Sequence, residues 1–202
     1  MKRRTFEDRL ENNRLRAFIR ERMEIKPLRQ ATDVGLIPHA LHIACGNGSP
    51  TSLILKNFSL QKVSAIDREG ELIAEARANP AFDRVDFSVG DVRSLSFDDS
   101  VFDAVFDLAD LHNFRDWERG LLEMKRVLKP GGLLLLEELS RESFAHSAGR
   151  LFKRFTDHPY DAMLTTEGFR EAVLRNGLEI LHFETKNPFG LLRYFIIIAR
   201  KA

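Results

Sequence analysis

Residues 41–50 read Leu-His-Ile-Ala-Cys-Gly-Asn-Gly-Ser-Pro. A short apolar run, typical of a buried strand, leads into two glycines, Gly46 and Gly48. Glycine lets the backbone turn sharply and approach a ligand, because it has no Cβ. Ser49 can cap a helix and Pro50 suits its first turn. We therefore predict a strand, a tight turn and a helix whose free N–H groups suit an anionic group, although ordinary tight turns share this pattern.

From residue 40 onward, short apolar runs alternate with helical patterns. The predicted strands are 41–44, 63–66, 85–89, 102–106 and 133–137, and the helices between them are 50–58, 70–78 and 116–128. Such alternation is typical of a parallel sheet covered by helices on both faces. Two more strands, near 179–184 and 192–199, are joined by a link too short for a parallel crossover. We predict a Rossmann-like, doubly wound, mostly parallel seven-stranded α/β sheet whose last strand is antiparallel.

Length and composition indicate one globular domain spanning residues 1–202, with 44% hydrophobic and 30% charged residues. The net charge of +1 gives no reason to expect a nucleic-acid partner. Cys45 is the only cysteine, which excludes an internal disulfide and a thiolate metal site and fits a cytoplasmic protein. No apolar segment follows the basic start, so we expect no signal peptide, and the longest apolar runs are too short to span a bilayer.

Two segments fall outside the alternation and are predicted to cap the domain: an N-terminal helical cap, 1–38, and an insertion, 139–164. Residues 5–25 predict a helix that Pro27 ends, with an apolar stripe of Phe6, Leu10, Ala17, Phe18 and Met23. Aromatic residues of the insertion, Phe144, Phe152 and Phe155 among them, are expected to cover this stripe and to form a partly apolar pocket. An alternative is that the basic helix lies on anionic lipid, as in a peripheral membrane module.

Acidic residues follow consecutive predicted strands. Asp67 ends the second strand, at a place where a carboxylate can accept hydrogen bonds from both hydroxyls of a ribose. Asp91 follows the third strand, residues 107–113 follow the fourth, and Glu138 follows the fifth. In a doubly wound sheet these carboxyl ends line one crevice in which ligands bind. We therefore predict a nucleotide-like ligand in this crevice.

Five segments then resemble a known family, in order and with its spacing: 41–48, Val-Ser-Ala-Ile-Asp at 63–67, Val-Gly-Asp-Val at 89–92, 102–113, and Arg-Val-Leu-Lys-Pro-Gly-Gly within 126–138. They resemble class I S-adenosylmethionine-dependent methyltransferases of the small-molecule type, which include quinone-biosynthesis enzymes. A dinucleotide site would prefer glycine or alanine where this chain has Thr51. The resemblance implies in-line methyl transfer from S-adenosylmethionine to a small, partly apolar molecule, with S-adenosylhomocysteine as product.

The resemblance also implies which residues bind the cofactor. Ala44, Cys45, Gly46, Asn47 and Gly48 would pack on its methionine part. Asp67 would hold the ribose hydroxyls, Arg68 would flank the adenine and Asp91 would accept a hydrogen bond from the adenine amine. The Val92 amide would lie near the ring, and Leu108 would close over the sulfonium.

Catalytic residues are less well defined. His112 is the best candidate for a general base, because it follows the fourth strand, where the methyl group should point; a purely structural histidine is the equal alternative. Glu138, Asp110 and His158 are weaker candidates. His42 stands where the family usually has an acid, which favours a non-catalytic S-adenosylmethionine-binding protein as the alternative function. The acceptor and the oligomeric state cannot be predicted, and without a basic appendage we expect no nucleic-acid substrate.

Overall fold

The computed structural model of the protein describes residue 18 and residues 20–145, 158–187 and 193–202. Its helices are a π-helical turn Glu21–Ile25, α1 Lys26–Gln30, α2 Ser49–Asn57, α3 Gly70–Ala78, α4 Trp117–Val127 and α5 Thr166–Arg175. Short 3₁₀ turns span Pro80–Phe82, Leu111–Asn113 and Arg141–Phe144. The strands are β1 Ile37–Ile43, β2 Leu60–Asp67, β3 Val85–Val89, β4 Phe102–Leu108, β5 Leu128–Leu139, β6 Leu178–Lys186 and β7 Tyr194–Lys201.

The seven strands form one sheet in the order β3-β2-β1-β4-β5-β7-β6. The pairs from β3 to β5 are parallel, and β7 runs antiparallel to both of its neighbours. This confirms the predicted doubly wound sheet with an antiparallel last strand. The order reverses between β1 and β4, so the crevice at their carboxyl ends is where such sheets bind ligands.

Strand β5 begins earlier than the prediction of 133–137. It starts at Leu128, which pairs with Phe102, and the pairing then shifts register before Ala104 meets Leu133. Pro130 lies within this irregular stretch, where a strand can tolerate a residue without an N–H. The early start joins α4 to β5 with no loop between them.

The prediction that Pro27 ends the N-terminal helix is wrong. The π-helical turn Glu21–Ile25 continues directly into α1, and Pro27 lies in the first turn of α1. In a regular helix residue 27 would donate to the carbonyl of Met23, which proline cannot do. The wider π turn relieves the proline ring, and the Tyr194 hydroxyl donates to Met23 O instead, at 3.4 Å. Residues 5–17 and 19 of the predicted helix lie outside the described residues.

Apolar side chains cover both faces of the sheet. On one face, Ile25 and Leu28 of the N-terminal helix pack with Ile54 of α2 against the central strands. On the opposite face, α4 and α5 contribute side chains such as Leu121 and Phe169 to a second cluster. The two clusters fix the strands from both sides, so the carboxyl ends of the strands are held as a rigid edge.

The two predicted cap segments are only partly described. The helical residues 20–30 pack on the α2 face of the sheet, whereas Leu164 of the second segment packs on the α4 face. Phe18 is 60% exposed, so the expected cover of this side chain by Phe144 is absent. Phe144 is itself buried and contacts Tyr160, with ring centroids 4.8 Å apart. Phe6, Leu10, Phe152 and Phe155 lie outside the described residues, and a pocket shared by the two segments stays a prediction.

Candidate cofactor site

The turn after β1 has the geometry that its glycines predict. Ala44, Gly46 and Gly48 all have positive φ, at 52°, 54° and 86°. A Cβ added at Gly48 would lie 2.6 Å from a ring carbon of Phe82, so both space and conformation require glycine there. Ala44 carries a Cβ in this disfavoured region, a strain that proteins tend to keep at functional sites. The loop therefore presents its backbone closely to the crevice.

Asp67, at the end of β2, is oriented by this loop. Its Oδ2 accepts a hydrogen bond from the Gly46 N–H at 2.8 Å, and its Oδ1 accepts one from the Glu69 N–H at 2.9 Å. A carboxylate oxygen can accept two hydrogen bonds, so each oxygen keeps one acceptor position. Two acceptor positions on a fixed carboxylate suit a pair of neighbouring hydroxyls, as in a ribose.

Asp91 follows β3 and pairs with Arg93. Its Oδ2 accepts from Nη2 of Arg93 at 2.6 Å, and this contact holds the pKa of Asp91 below its usual range. The next residue, Val92, is buried beside Gly120 of α4, where an added Cβ would lie only 2.5 Å from Leu111 Cδ2. Sequence reasoning missed Arg93, because no pattern in the sequence distinguishes it from a solvated arginine, and only the fold brings its guanidinium to Asp91 and Asp116.

Several other predicted cofactor residues are placed by local contacts. Cys45 is fully buried with Ile73 behind the loop, and burial raises the pKa of its thiol to about 12, which makes the thiol unreactive.

Three other predicted cofactor residues have defined contacts. Asn47 Oδ1 accepts a hydrogen bond from the Ser49 N–H at 3.2 Å. The exposed Arg68 guanidinium lies 4.6 Å from the ring centroid of Phe114. Leu108 packs with the cluster on the α2 face, and its role over a sulfonium stays a prediction.

The end of β4 carries a buried acid, Asp107. Its Oδ1 accepts from the Asp110 N–H at 3.2 Å, whereas its Oδ2 has no hydrogen-bond partner. Burial raises the pKa of Asp107 well above its usual range, and the nearby Glu138 adds to the effect. Burial also raises the pKa of Asp110, to about 6. Near neutral pH the protonated form of Asp107 is therefore favoured unless a cation binds beside it, whereas Asp110 ionises as the pH rises through about 6.

His112 and Glu138 form a buried pair. Oε2 of Glu138 lies 2.8 Å from Nδ1 of His112, and its Oε1 accepts from the Leu111 N–H at 2.6 Å. Burial raises the pKa of Glu138 well above its usual range. The His158 ring lies 4.9 Å from that of His112, and Phe144 and Tyr160 lie beside it. The structure thus brings three of the predicted catalytic candidates, Asp110, His112 and Glu138, to one end of the crevice, with His158 adjoining them.

His42, which replaces the acid typical of the family, is a neutral packing residue. It is completely buried, and its Nδ1 lies 2.8 Å from Oγ1 of Thr51 in α2. Burial lowers the pKa of His42 to about 3, with the Arg20 charge adding to the effect. The contact ties β1 to α2 directly beneath the glycine loop. Thr51, which departs from the dinucleotide pattern, therefore has a structural role here.

Metal ions and membranes are the other two classes of partner to consider for this fold. Within the described residues, no group of three or more His, Cys, Asp or Glu side chains is arranged to hold a metal ion. No helix in the part of the chain that the structure describes is long and apolar enough to cross a membrane. The crevice at the carboxyl ends of the strands remains the candidate binding site.

Comparisons with known proteins agree with this geometry. Residues 41–136 match the methyltransferase domain family. The chain is 33% identical over 114 residues to phthiotriol/phenolphthiotriol dimycocerosates methyltransferase 1 of Mycobacterium ulcerans, which covers 55% of this chain and 41% of that protein. It is 39% identical over 100 residues to demethylmenaquinone methyltransferase of Clavibacter sepedonicus, which covers 50% and 40%. The chain thus matches less than half the length of these relatives.

A solved structure extends the likeness to the whole fold. The S-adenosylmethionine-dependent methyltransferase of Mesorhizobium loti superimposes with a TM-score of 0.70 at 19% identity, over 87% of this chain and 96% of that one. At this identity the likeness concerns the fold alone, and the match to the methyltransferase domain family is confined to residues 41–136. Residues 41–136 of the chain therefore match methyltransferase domains, and this match supports the resemblance to the class I S-adenosylmethionine-dependent type.

Proposed function

We propose that the protein transfers the methyl group of S-adenosylmethionine to a small, partly apolar acceptor by in-line displacement. The observation that carries this proposal is Asp67, which the glycine loop holds at 2.8 Å while each oxygen keeps a free acceptor position. The residues present fit the cofactor. The loop from Ala44 to Gly48 would bind its methionine part, Asp67 its ribose, and Asp91 its adenine amine. When bound, the cofactor supplies an electrophilic methyl group.

The charges of the crevice support a cationic ligand. Carboxyl groups end β2, β4 and β5. Burial raises the pKa values of Asp107 and Asp110, and neighbouring carboxylates add to this, Glu138 for Asp107 and Asp67 for Asp110. A sulfonium cation relieves such repulsion, whereas the uncharged sulfide of the product does not. The chain thereby favours the methylated form of the cofactor over its product.

Methyl transfer needs alignment more than covalent chemistry, and good alignment contributes about 7–11 kcal/mol to lowering a barrier. A base is required only when the acceptor must lose a proton. Because Glu138 engages Nδ1 of His112, the ring nitrogen assigned to the acceptor's proton is Nε2. Glu138 then acts as the positioning residue, and its hydrogen bond stabilises the imidazolium that forms.

The acceptor is assigned to the side of the crevice where Phe144, Tyr160 and His158 cluster. Aromatic surface beside a few polar groups is typical of sites for partly apolar small molecules. The names of the two relatives, which specify demethylmenaquinone and phthiotriol dimycocerosates, support an acceptor of this class. A cytoplasmic location stays the prediction for this chain.

Isothermal titration calorimetry tests the proposal without knowledge of the acceptor. The purified protein is titrated separately with S-adenosylmethionine, S-adenosylhomocysteine and NAD. The proposal predicts saturable one-to-one binding of the first two ligands and none of NAD. Binding of NAD without either sulfur ligand would contradict it. Binding of the sulfur ligands without methyl transfer to any member of a panel of phenols, quinols and fatty acids would favour the non-catalytic alternative.

A further inference from the structure

Arg93 contacts Asp91 through both its main chain and its side chain. The Asp91 Oδ1 atom accepts hydrogen bonds from the Arg93 main-chain N–H at 2.9 Å and from its Nε at 3.0 Å. The Oδ2 atom accepts from Nη2 at 2.6 Å. The guanidinium and the main chain together fix both the position and the rotation of the carboxylate.

The guanidinium is itself held from two further directions. Its Nη1 donates to Oδ1 of Asp116, just before α4, at 3.1 Å. Its central carbon lies 4.5 Å from the ring centroid of Phe114, which is within the range of a cation–π contact. Arg93 therefore links the loop after β3 to the start of α4, and it cannot turn away from Asp91 without losing all of these contacts.

These contacts leave Asp91 with a single directed acceptor position. A carboxylate oxygen accepts two hydrogen bonds, so Oδ1 is saturated by Arg93 and Oδ2 keeps one position. The side chains of both residues are 32% exposed, so a ligand can reach this position. The same ion pair lowers the pKa of Asp91, and the group is therefore a pure acceptor near neutral pH.

We propose that Arg93 is a positioning residue that turns Asp91 into a one-directional acceptor and thereby selects adenine over 6-oxo purines. This inference rests on the proposed function, in which Asp91 binds the adenine amine. Adenine presents an N–H donor at its six position, whereas hypoxanthine presents a carbonyl oxygen. A carboxylate locked in its ionised form repels that oxygen, and a carboxylate free to rotate or take up a proton adapts to it.

The test compares S-adenosylhomocysteine with S-inosylhomocysteine, whose bases differ at the six position and in the hydrogen that hypoxanthine carries on the adjacent N1. Calorimetry gives both dissociation constants for the wild type, Arg93→Met, Arg93→Lys and the exposed control Arg119→Met. We expect the wild type and the control to prefer the adenine ligand. In Arg93→Met the preference should fall by roughly ten-fold, mostly through weaker binding of the adenine ligand. Arg93→Lys keeps the charge without paired donors, so its preference for the adenine ligand should lie between that of the wild type and that of Arg93→Met.

The outcomes separate the inference from the function on which it rests. An unchanged preference in both Arg93 variants would overturn the inference, as would an equal loss of affinity for both ligands, since that indicates a merely structural loop. Equal binding of the two ligands by the wild type would also overturn it. Failure of the wild type to bind S-adenosylhomocysteine at all would instead overturn the proposed function and the inference together. If Arg93→Met does not fold, the lysine variant decides alone.

Discussion

Two groups of carboxyl side chains end the strands of the same sheet in opposite environments. The rim pair, Asp67 and Asp91, is partly exposed, and its oxygens accept hydrogen bonds from backbone N–H groups and from Arg93. The buried trio, Asp107, Asp110 and Glu138, lies at the ends of β4 and β5. Asp107 and Glu138 are fully buried and Asp110 is half-buried, and burial raises the pKa of each member. The rim pair is suited to accept hydrogen bonds while charged, and the buried trio to hold a proton or face a cation.

The largest expected effect is on turnover at the buried end. Replacement of His112 by Ala should lower kcat by about 100- to 10,000-fold if it is the general base, with cofactor affinity changed only slightly. Glu138→Gln should lower kcat less, because the imidazole remains but loses its orienting carboxylate. Rates of S-adenosylhomocysteine formation with a proton-bearing acceptor measure both effects. The control His182→Ala lies on β6 and should retain full activity.

A structural role for His112 gives a different pattern. In that case the Ala variant would lose thermal stability but keep kcat within a few-fold of the wild type. The pH dependence of kcat separates the two roles, because only a base creates an acidic limb that disappears in the variant.

The second prediction concerns the rim pair. Asp67→Ala should weaken binding of S-adenosylhomocysteine by roughly ten- to a hundred-fold, because two ribose hydroxyls lose a charged partner, a loss of about 1–3 kcal/mol. Calorimetry checks this against Asp83→Ala, an exposed acid outside the crevice. Equal affinities of the two variants would remove Asp67 from the site, and the rim pair would then no longer be a ligand-binding group.

How far the sequence predicts these features depends on whether the signal is local. Strand β3 and helix α3 match their predicted bounds, because apolar periodicity and flanking polar residues define them within a few positions. The positions of Asp67 and Asp91 beside the same crevice were predictable, because the carboxyl ends of parallel strands lie at one edge of the sheet. The continuation of the N-terminal helix past Pro27 was not predicted. It depends on a π turn and on Tyr194, which lies far along the chain.

Site details were harder to predict than site positions. Arg93 resembles any solvated arginine until its distances to Asp91 and Asp116 are known. The pairing of His112 with Glu138 joins residues of two strand ends, and the packing of the sheet decides it. Tertiary contacts of this kind leave no periodic pattern in the sequence.

The third prediction is that stability responds to pH with opposite sign in the two groups. The pKa of Asp110 is raised to about 6, so between pH of about 4 and 6 the folded protein binds more protons than the unfolded chain. The contribution of Asp110 to the free energy of unfolding is therefore present in acid and is lost as the pH rises through about 6. Asp110→Asn should raise the melting temperature at pH 7.5 and lose that advantage below pH of about 4.

Asp91 should behave in the opposite way. Arg93 lowers its pKa, so its stabilisation is present above the usual aspartate range and is lost as pH falls below that range. Asp91→Asn should therefore lower the melting temperature at neutral pH, with a deficit that shrinks in acid. Thermal melts of both variants between pH 3.5 and about 8 give the two profiles. Profiles of the same sign would contradict the division into a rim pair and a buried trio.

The smallest expected effect concerns two alanines with positive φ. One lies in the loop after β1 and the other in the loop after β4. Ala44 has φ 52° and Ala109 has φ 63°. Glycine adopts this region without steric cost, so Ala44→Gly and Ala109→Gly should each change stability by about 0.5–1 kcal/mol in the stabilising direction. Ala74→Gly, at an exposed position in α3, should instead destabilise by about 1 kcal/mol. Urea unfolding of the three variants measures these differences, and a loss of stability in both loop variants would show that the alanines are not strained.

We propose that one cofactor spans both groups, with its base at the rim pair and its sulfur toward the buried trio. A crystal structure of the protein with S-adenosylhomocysteine tests this most directly. We predict ribose hydroxyls within hydrogen-bond distance of Asp67, the adenine amine at Asp91, and the sulfur facing the 107–112 segment. A ligand bound with its base toward His112, or bound away from the carboxyl ends of β1, β2 and β4, would contradict the account.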